Sequence, residues 1–231
     1  MSAELLRVDA LRFKIGSAAS GAADLFEAAS FTLAPGEHVA VLGPRGPVRT
    51  ALLRAVALLD RPQSGRVCLG PLELTRLPEA RLRAARREFQ YVGGDPARSL
   101  PLRFTVADAL LEPLHIHRLG TPAERLARAE AALALFHLNR ALLGQAVASL
   151  SLALRQMTSL ARALSLEPRL LLTDEVVDYL EPAAGRALLE RLAAHCRAHS
   201  VAWLWTTADP GLARRFSDRV LRLEDRRLLP A

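Results

Sequence analysis

The segment that most constrains the fold is a short apolar run, His38–Leu42, which leads directly into a glycine loop. The loop begins Gly43-Pro44-Arg45-Gly46, and an amphipathic helix is predicted after it, over residues 50–59. A helix N-terminus that follows a strand and a glycine loop presents free backbone N–H groups to an anion. The sequence therefore predicts a phosphate-binding strand-loop-helix unit in its first quarter.

The remaining segments alternate between strands and helices around a helical middle. Residues 6–13 and 31–33 alternate in polarity, which predicts an antiparallel sheet. Residues 107–147 are predicted to be helical, with a capping box at Thr121 and Glu124 and with Pro122 at the first helical position. After residue 150, strands alternate with helices, which indicates a parallel sheet covered on both faces. The predicted helices span 155–164 and 182–198, and the predicted strands 170–173, 201–206 and 220–221.

Composition places the chain among globular proteins. Hydrophobic residues make up 51% and charged residues 24% of the 231 residues. No apolar run approaches the roughly 20 residues that cross a bilayer, and no cationic stretch followed by an apolar one opens the chain. Cys68 and Cys196 lack metal-ligand spacing and are predicted to be buried thiols in a reducing compartment. We expect a cytoplasmic protein that reaches a membrane only through a partner.

The positive charge does not predict a nucleic-acid partner. The net charge is +7, but Lys14 is the sole lysine, and the arginines are scattered along predicted helical faces without interleaved aromatic residues. His115 and His117 are two residues apart, so in a helix they would not face each other, and we predict no metal pair there.

The order of the segments and several local strings resemble the ATP-binding subunits of ABC transporters over about residues 4–228. The most specific stretch is Arg86-Arg87-Glu88-Phe89-Gln90-Tyr91-Val92, followed by Asp95-Pro96, Ser99-Leu100, Thr105-Val106 and Glu112-Pro113-Leu114. It is similar to the branch that imports oligopeptides, dipeptides and nickel. The resemblance implies an α/β fold, the P-loop ABC-type nucleotide-binding domain, with a mixed core sheet, an antiparallel β subdomain and a helical subdomain. It implies a single domain over residues 1–231, with the core at about 4–95 and 155–228 and the helical subdomain at about 96–154.

The resemblance also implies that ATP lies on the phosphate loop, which the family writes G-x-x-G-x-G-K-[ST]. The corresponding residues here are Gly43, Pro44, Arg45, Gly46, Pro47, Val48, Arg49, Thr50 and Ala51. Pro47 removes one N–H group. Val48 replaces a glycine with a β-branched residue that is poorly suited to positive φ. Arg49 keeps the charge of the family's lysine but has a longer, planar head group. We expect nucleotide binding to be weakened and not abolished.

Two carboxylates of the family pattern are retained at the end of a predicted buried strand. The resemblance implies that Asp174 holds Mg²⁺ together with the Thr50 hydroxyl, and that Glu175 is the catalytic base that polarises the attacking water. The family's loop glutamine is replaced by Gly94 and its switch histidine by Ala208. Two further strings also differ: L-S-G-G-Q is here Leu150-Ser151-Leu152-Ala153-Leu154, and S-A-L-D is Asp178-Tyr179-Leu180-Glu181.

These departures leave three hypotheses. In this family two subunits pair head to tail, and each site uses one chain's phosphate loop with the other chain's signature string. The first hypothesis is a weakly active or inactive ATP-binding subunit of a peptide or nickel importer, which pairs with a second ATP-binding subunit and a membrane permease. The second is a functional ATPase that tolerates Arg49. The third is a scaffold or regulatory protein outside transport. Removing one charge-stabilising donor commonly costs about 10²- to 10³-fold in rate, which favours the first.

Overall fold

The computed structural model describes residues 4–15 and 23–230, and in that part of the chain the strands form two sheets. The antiparallel sheet contains β1 (Leu6–Ile15), β2 (Ala23–Leu33), β4 (Ser64–Leu69) and β5 (Leu72–Glu73), in the order β2-β1-β4-β5. The second sheet contains β3 (His38–Leu42), β6 (Phe89–Val92), β7 (Leu170–Asp174), β8 (Ala202–Thr207), β9 (Arg219–Glu224) and β10 (Arg227–Pro230). Its order is β10-β9-β3-β8-β7-β6, and only the β9–β10 pair is antiparallel. The predicted α/β fold with a mixed core sheet is confirmed.

Seven α-helices connect and cover these strands within the described residues. They are α1 (Pro47–Val56), α2 (Glu79–Ala85), α3 (Val106–Ile116), α4 (Pro122–Leu135), α5 (Leu152–Leu164), α6 (Pro182–Ala198) and α7 (Pro210–Phe216). The predicted capping box begins α4: the Thr121 hydroxyl accepts from the Glu124 N–H at 3.3 Å, and the Glu124 carboxylate accepts from the Thr121 N–H at 2.6 Å. A second capping box, Thr105 with Asp108, begins α3 and was not predicted.

The helix predicted over residues 50–59 is displaced. It begins at Pro47, where the fixed φ of proline suits the first helical position and the missing N–H is not needed within the helix. It ends at Val56, shortly before Leu58 adopts a positive φ of 48°. The sequence predicted a later end because the apolar pattern continues through Ala57 and Leu58, which are buried although the helix has already ended. Strands β4 and β5 and helices α2 and α7 were not predicted, since each is short and lacks the continuous apolar run that marked β3 and β7.

The central strands of the second sheet are buried on both faces, which explains their continuous apolar sequences. Val39, Val41, Leu170 and Leu172 face a core shared with α1 and the antiparallel sheet. The alternate residues, among them Leu171, Trp203 and Trp205, face a second core shared with α3 to α6. The two tryptophan rings stack with their centroids 5.0 Å apart. Among the described residues, none of the helices is both long and apolar enough to cross a membrane.

His38, at the start of β3, is fully buried and meets the Trp203 ring edge to face at 5.4 Å. Burial lowers the pKa of His38, and the nearby Arg197 lowers it further, while Asp218 and the Phe216 backbone oppose the shift. The native imidazole therefore stays neutral where an unfolded histidine, with a pKa near 6.5, takes up a proton. Stability should consequently fall as the pH drops below about 6.5, because the unfolded state gains a proton that the folded state does not.

We predict that His38→Phe reduces this loss of stability. Between about pH 7.5 and about pH 5.5, the free energy of unfolding of the wild type should fall by about 1 kcal/mol more than that of the variant. Urea unfolding at both pH values measures the difference, and the absolute cost of the substitution cancels. His115→Gln is the matched control because His115 is exposed. Equal pH slopes for His38→Phe and the wild type would contradict this account.

Candidate functional site

Asp174 lies at the centre of a cluster of oxygen atoms where β7 ends beside the first turn of α1. Asp174 is only 3% exposed. Its carboxylate accepts hydrogen bonds from the Thr50 hydroxyl at 2.6 Å and from the Thr206 hydroxyl at 2.6 Å. The Tyr91 hydroxyl lies 3.5 Å from the same carboxylate. The structure therefore brings together Thr50 and Asp174, the two predicted magnesium ligands. Hydroxyl and carboxylate oxygens are the donors that Mg²⁺ prefers, so this set fits that ion.

Tyr91 is a member of this cluster that the sequence did not indicate. Burial raises the pKa of Tyr91, and the negative charge of Asp174 raises it further, so the phenol stays neutral. The feature that could have indicated Tyr91 is its position in β6, because this strand pairs in parallel with β7 and ends at the same edge of the sheet.

The Arg49 guanidinium forms an ion pair with Glu175 instead of projecting into solvent. The Arg49 side chain is 1% exposed, and its Nη2 donates to Oε1 of Glu175, whose side chain is 23% exposed. Arg49 lies in the first turn of α1, where a cation is disfavoured by the helix dipole, so the carboxylate offsets an unfavourable placement. Burial raises the pKa of Glu175, and Arg49 acts against that rise. Sequence reasoning assigned these two residues separate roles and did not predict the pair.

The glycine loop ends at Gly46, which is the N-cap of α1 and has φ 152° and ψ 177°. No side chain caps this helix, and no acidic residue lies in its first turn, so its free N–H groups remain available to an anion. Pro47 occupies the first position and lacks an N–H, as expected. The expectation that Val48 would need positive φ is wrong: it lies within α1 and packs against the core.

The other loop residues have different surroundings. Gly43 lies close to β9, since a Cβ there would meet the Leu223 carbonyl oxygen at 3.2 Å. Pro44 and Arg45 are exposed, and Arg45 reaches the Asp178 carboxylate at 3.3 Å. Ala51 is 6% exposed and belongs to the core. Two ion pairs, Arg45–Asp178 and Arg49–Glu175, therefore join the predicted phosphate-loop segment to the residues that follow β7.

Gly94, which stands where the family has glutamine, lies directly against the end of β7. A Cβ at Gly94 would come within 2.7 Å of the Asp174 carbonyl oxygen and 3.2 Å of the Glu175 Cβ. Beside it is an open cleft of about 610 Å³ whose lining includes Thr50, Tyr91, Asp174, Glu175, Ser159 and Arg162. Burial lowers the pKa of Arg162, and the negative charge of Glu112 opposes that shift. Because of the short distances from Gly94 to the end of β7, a side chain at position 94 would require the backbone to move.

The structure also places the residues that stand at the signature and switch positions. The Ser151 hydroxyl caps α5 by accepting from the Leu154 N–H at 3.2 Å. Leu152 and Tyr179 are large exposed side chains, 42% and 48% accessible. Ala208 lines a cavity of about 530 Å³ together with Arg45 and Asp178.

A known protein family matches both the sequence and the fold of this chain. The family model described as ABC transporter matches residues 26–178, more than half of the chain. The chain belongs to the ABC transporter family. This membership implies ATP as the ligand of the phosphate loop, and it confirms the resemblance found in the sequence.

Two relatives and one solved structure illustrate the match. The chain is 32% identical over 194 residues to a putative peptide import ATP-binding protein of Brucella ovis, a match that covers 84% of this chain and 61% of the relative. It is 34% identical over 197 residues to a nickel import ATP-binding protein of Shigella flexneri, covering 85% and 73%. A dimeric ATP-binding cassette bound to ADP and Pi superposes with a TM-score of 0.88 at 22% identity, covering 96% of each chain. The structural likeness shows the ABC cassette fold.

We predict that Gly94→Ala destabilises the protein by about 1–3 kcal/mol, because the added methyl group meets backbone that cannot rotate away. Gly144→Ala is the matched control: nothing lies within 4 Å of its added Cβ, so its effect should stay within about 0.5 kcal/mol. Urea unfolding measures both. If the two variants are equally stable, the β6–α3 loop does not rest on β7 as described.

We also predict that Glu175→Gln lowers the free energy of unfolding by about 2 kcal/mol, because it leaves the buried Arg49 guanidinium without its counter-charge. Glu190→Gln breaks another arginine–glutamate pair, with Arg215 at 2.7 Å, in which both side chains are at least half exposed. That control should change stability by less than about 0.5 kcal/mol. Similar losses of stability in the two variants would show that the buried Arg49–Glu175 pair stabilises the protein no more than an exposed ion pair does.

Proposed function

We propose that this chain is the ATP-binding subunit of an ABC-type importer of the peptide or nickel class, with weak or absent ATP hydrolysis of its own. It would act in the cytoplasm, on the inner face of the membrane, bound to a permease and paired with a second ATP-binding subunit. The names of its relatives, peptide import and nickel import ATP-binding proteins, support the class. The chain spans 61% of the length of the Brucella relatives, so substrate and partners are part of the proposal.

Nucleotide binding is supported by the geometry around α1. The uncapped N-terminus of the helix offers backbone N–H groups to a phosphate, and Thr50 and Asp174 gather oxygens suited to Mg²⁺. Bound Mg²⁺-ATP would supply the phosphoryl group and the charge that neutralises it. Arg49 would have to leave Glu175, at least in part, for its guanidinium to reach that phosphate.

The observation that carries the proposal of weak hydrolysis is the buried Arg49–Glu175 ion pair. A base that activates water must have a free lone pair directed at that water. Oε1 of Glu175 is instead engaged by the Arg49 guanidinium, whose side chain is 1% exposed, and the positive charge of Arg49 makes the remaining carboxylate oxygen a weaker base. Withdrawing Arg49 would leave its charged group buried without a partner, which is costly. Activation of water by Glu175 would therefore be hindered as long as the ion pair persists.

Three further positions support low turnover. Gly94 has no side chain that could contact the terminal phosphate or the attacking water, and neither has Ala208. The Ser151 hydroxyl accepts from the Leu154 N–H and can still donate its own proton, but the exposed Leu152 follows it where the family has glycine. Several missing donors at one site would each remove part of the electrostatic stabilisation of the transition state. Their effects need not add.

The direct test measures Mg²⁺-ATP binding by calorimetry and phosphate release by the purified full chain. We predict saturable ATP binding, with a rate of phosphate release in the wild type no higher than in Glu175→Gln. Arg49→Lys should bind ATP more tightly, since a compact ammonium suits the loop and frees Glu175. Arg45→Lys, a matched change in the exposed part of the same loop, should leave binding unchanged.

The contrary results are distinct. Magnesium-dependent turnover by the wild type that Glu175→Gln abolishes would show a functional ATPase that tolerates Arg49. Absence of any ATP binding, in the wild type and in Arg49→Lys, would favour a scaffold. Co-purification of the chain with a permease from membranes would exclude a role outside transport.

A further inference from the structure

The last turn of α6 and the residue after it place two histidines side by side, away from the nucleotide site. His195 and His199 are four residues apart, and their rings stack with centroids 4.2 Å apart and planes inclined by 29°. Both line a cavity of about 530 Å³ between α4 and the core, which shares no lining residue with the cleft beside Gly94. The sequence reasoning considered His115 and His117 and overlooked this pair.

A hydrogen bond fixes the form of one imidazole. The Nδ1 atom of His199 lies 3.0 Å from the His195 carbonyl oxygen. A carbonyl can only accept, so Nδ1 carries the proton, and Nε2 is the nitrogen that remains for a metal ion. Backbone carbonyls orient metal-binding histidines in this way, because the bond selects the tautomer and raises the basicity of the other nitrogen. His199 is exposed and His195 is partly exposed, so a dissolved ion can reach both.

The charges around the pair permit a cation. Arg128, on α4, is paired with Glu167 at 3.4 Å, and Arg197 is paired with Asp218 at 2.9 Å. The C-terminal end of a helix carries partial negative charge, which favours a bound cation.

The neighbouring groups limit the number and kind of ligands. Cys196 is fully buried in the core and does not line the cavity, so it is not available as a ligand. Among the described residues, no group of three or more His, Cys, Asp and Glu is arranged to hold a metal ion. A site here therefore has two protein ligands, both nitrogen, and the adjacent cavity has room for water at the remaining positions.

We propose that His195 and His199 bind a divalent transition-metal ion of the Ni²⁺, Cu²⁺ and Zn²⁺ class. Imidazole nitrogen suits these ions, whereas Mg²⁺ requires oxygen donors and would bind at Asp174. Because the pair belongs to the folded helix, an ion that binds there stabilises the protein by mass action. The proposal is independent of ATP binding and of transport.

The test titrates Ni²⁺, and separately Zn²⁺, into the full chain after removal of any histidine tag, with excess Mg²⁺ present to occupy the Asp174 oxygens. We expect one ion per chain by calorimetry. His195→Ala and His199→Ala should each weaken binding by at least about tenfold. His115→Ala and His117→Ala are the matched controls, since they remove histidines of the pair at the end of α3, and they should bind as the wild type does.

A second measurement separates loss of the site from loss of the fold. Ni²⁺ should raise the unfolding temperature of the wild type and of His115→Ala but not of His199→Ala, whose exposed position leaves the fold intact without metal. Absence of saturable binding would overturn the proposal. So would binding that His195→Ala and His199→Ala leave unchanged.

Discussion

The carboxylate of Asp174 is the group on which the site depends. It ends a strand whose five residues are all buried, and it is nearly inaccessible to solvent, so its oxygens need hydrogen-bond donors from within the protein. Three elements meet there because of that requirement: Thr50 from α1, Thr206 from β8 and Tyr91 from β6. The parallel register of β6, β7 and β8 brings the ends of these strands to one edge. The fold therefore assembles the magnesium-compatible oxygens through hydrogen bonds that it needs for its own stability.

Much of this arrangement was accessible from the sequence. The strand-loop-helix unit, the strand that ends in Asp174 and the helix over residues 182–198 were predicted because each has a strong local pattern, although α1 begins three residues earlier than predicted. The capping box at Thr121 was predicted for the same reason, since its hydrogen bonds join residues three apart. The short elements β5, α2 and α7 were missed because two to seven residues carry too little pattern of their own.

The site was predictable as a set of residues and not as a set of contacts. The family pattern named Arg49 and Glu175 individually, but 126 positions separate them, and nothing in either local string indicates that one would neutralise the other. Gly94 is a similar case: the sequence showed a missing glutamine, while the structure shows backbone packed where that side chain would begin. Proximity of this kind follows from strand order and register, which a single sequence does not specify.

The residues at positions 49 and 94 are physically related, because both contact the end of β7. An arginine at position 49 is longer than lysine and, with its head group buried, needs an acidic partner, which Glu175 provides. With Arg49 paired to Glu175 and glycine at position 94, the loop after β6 lies directly against the end of β7. A single substitution would change only one of these contacts and leave the other in place. Coupled sites of this kind show non-additive effects, and a double variant at positions 49 and 94 should differ from the sum of the single ones.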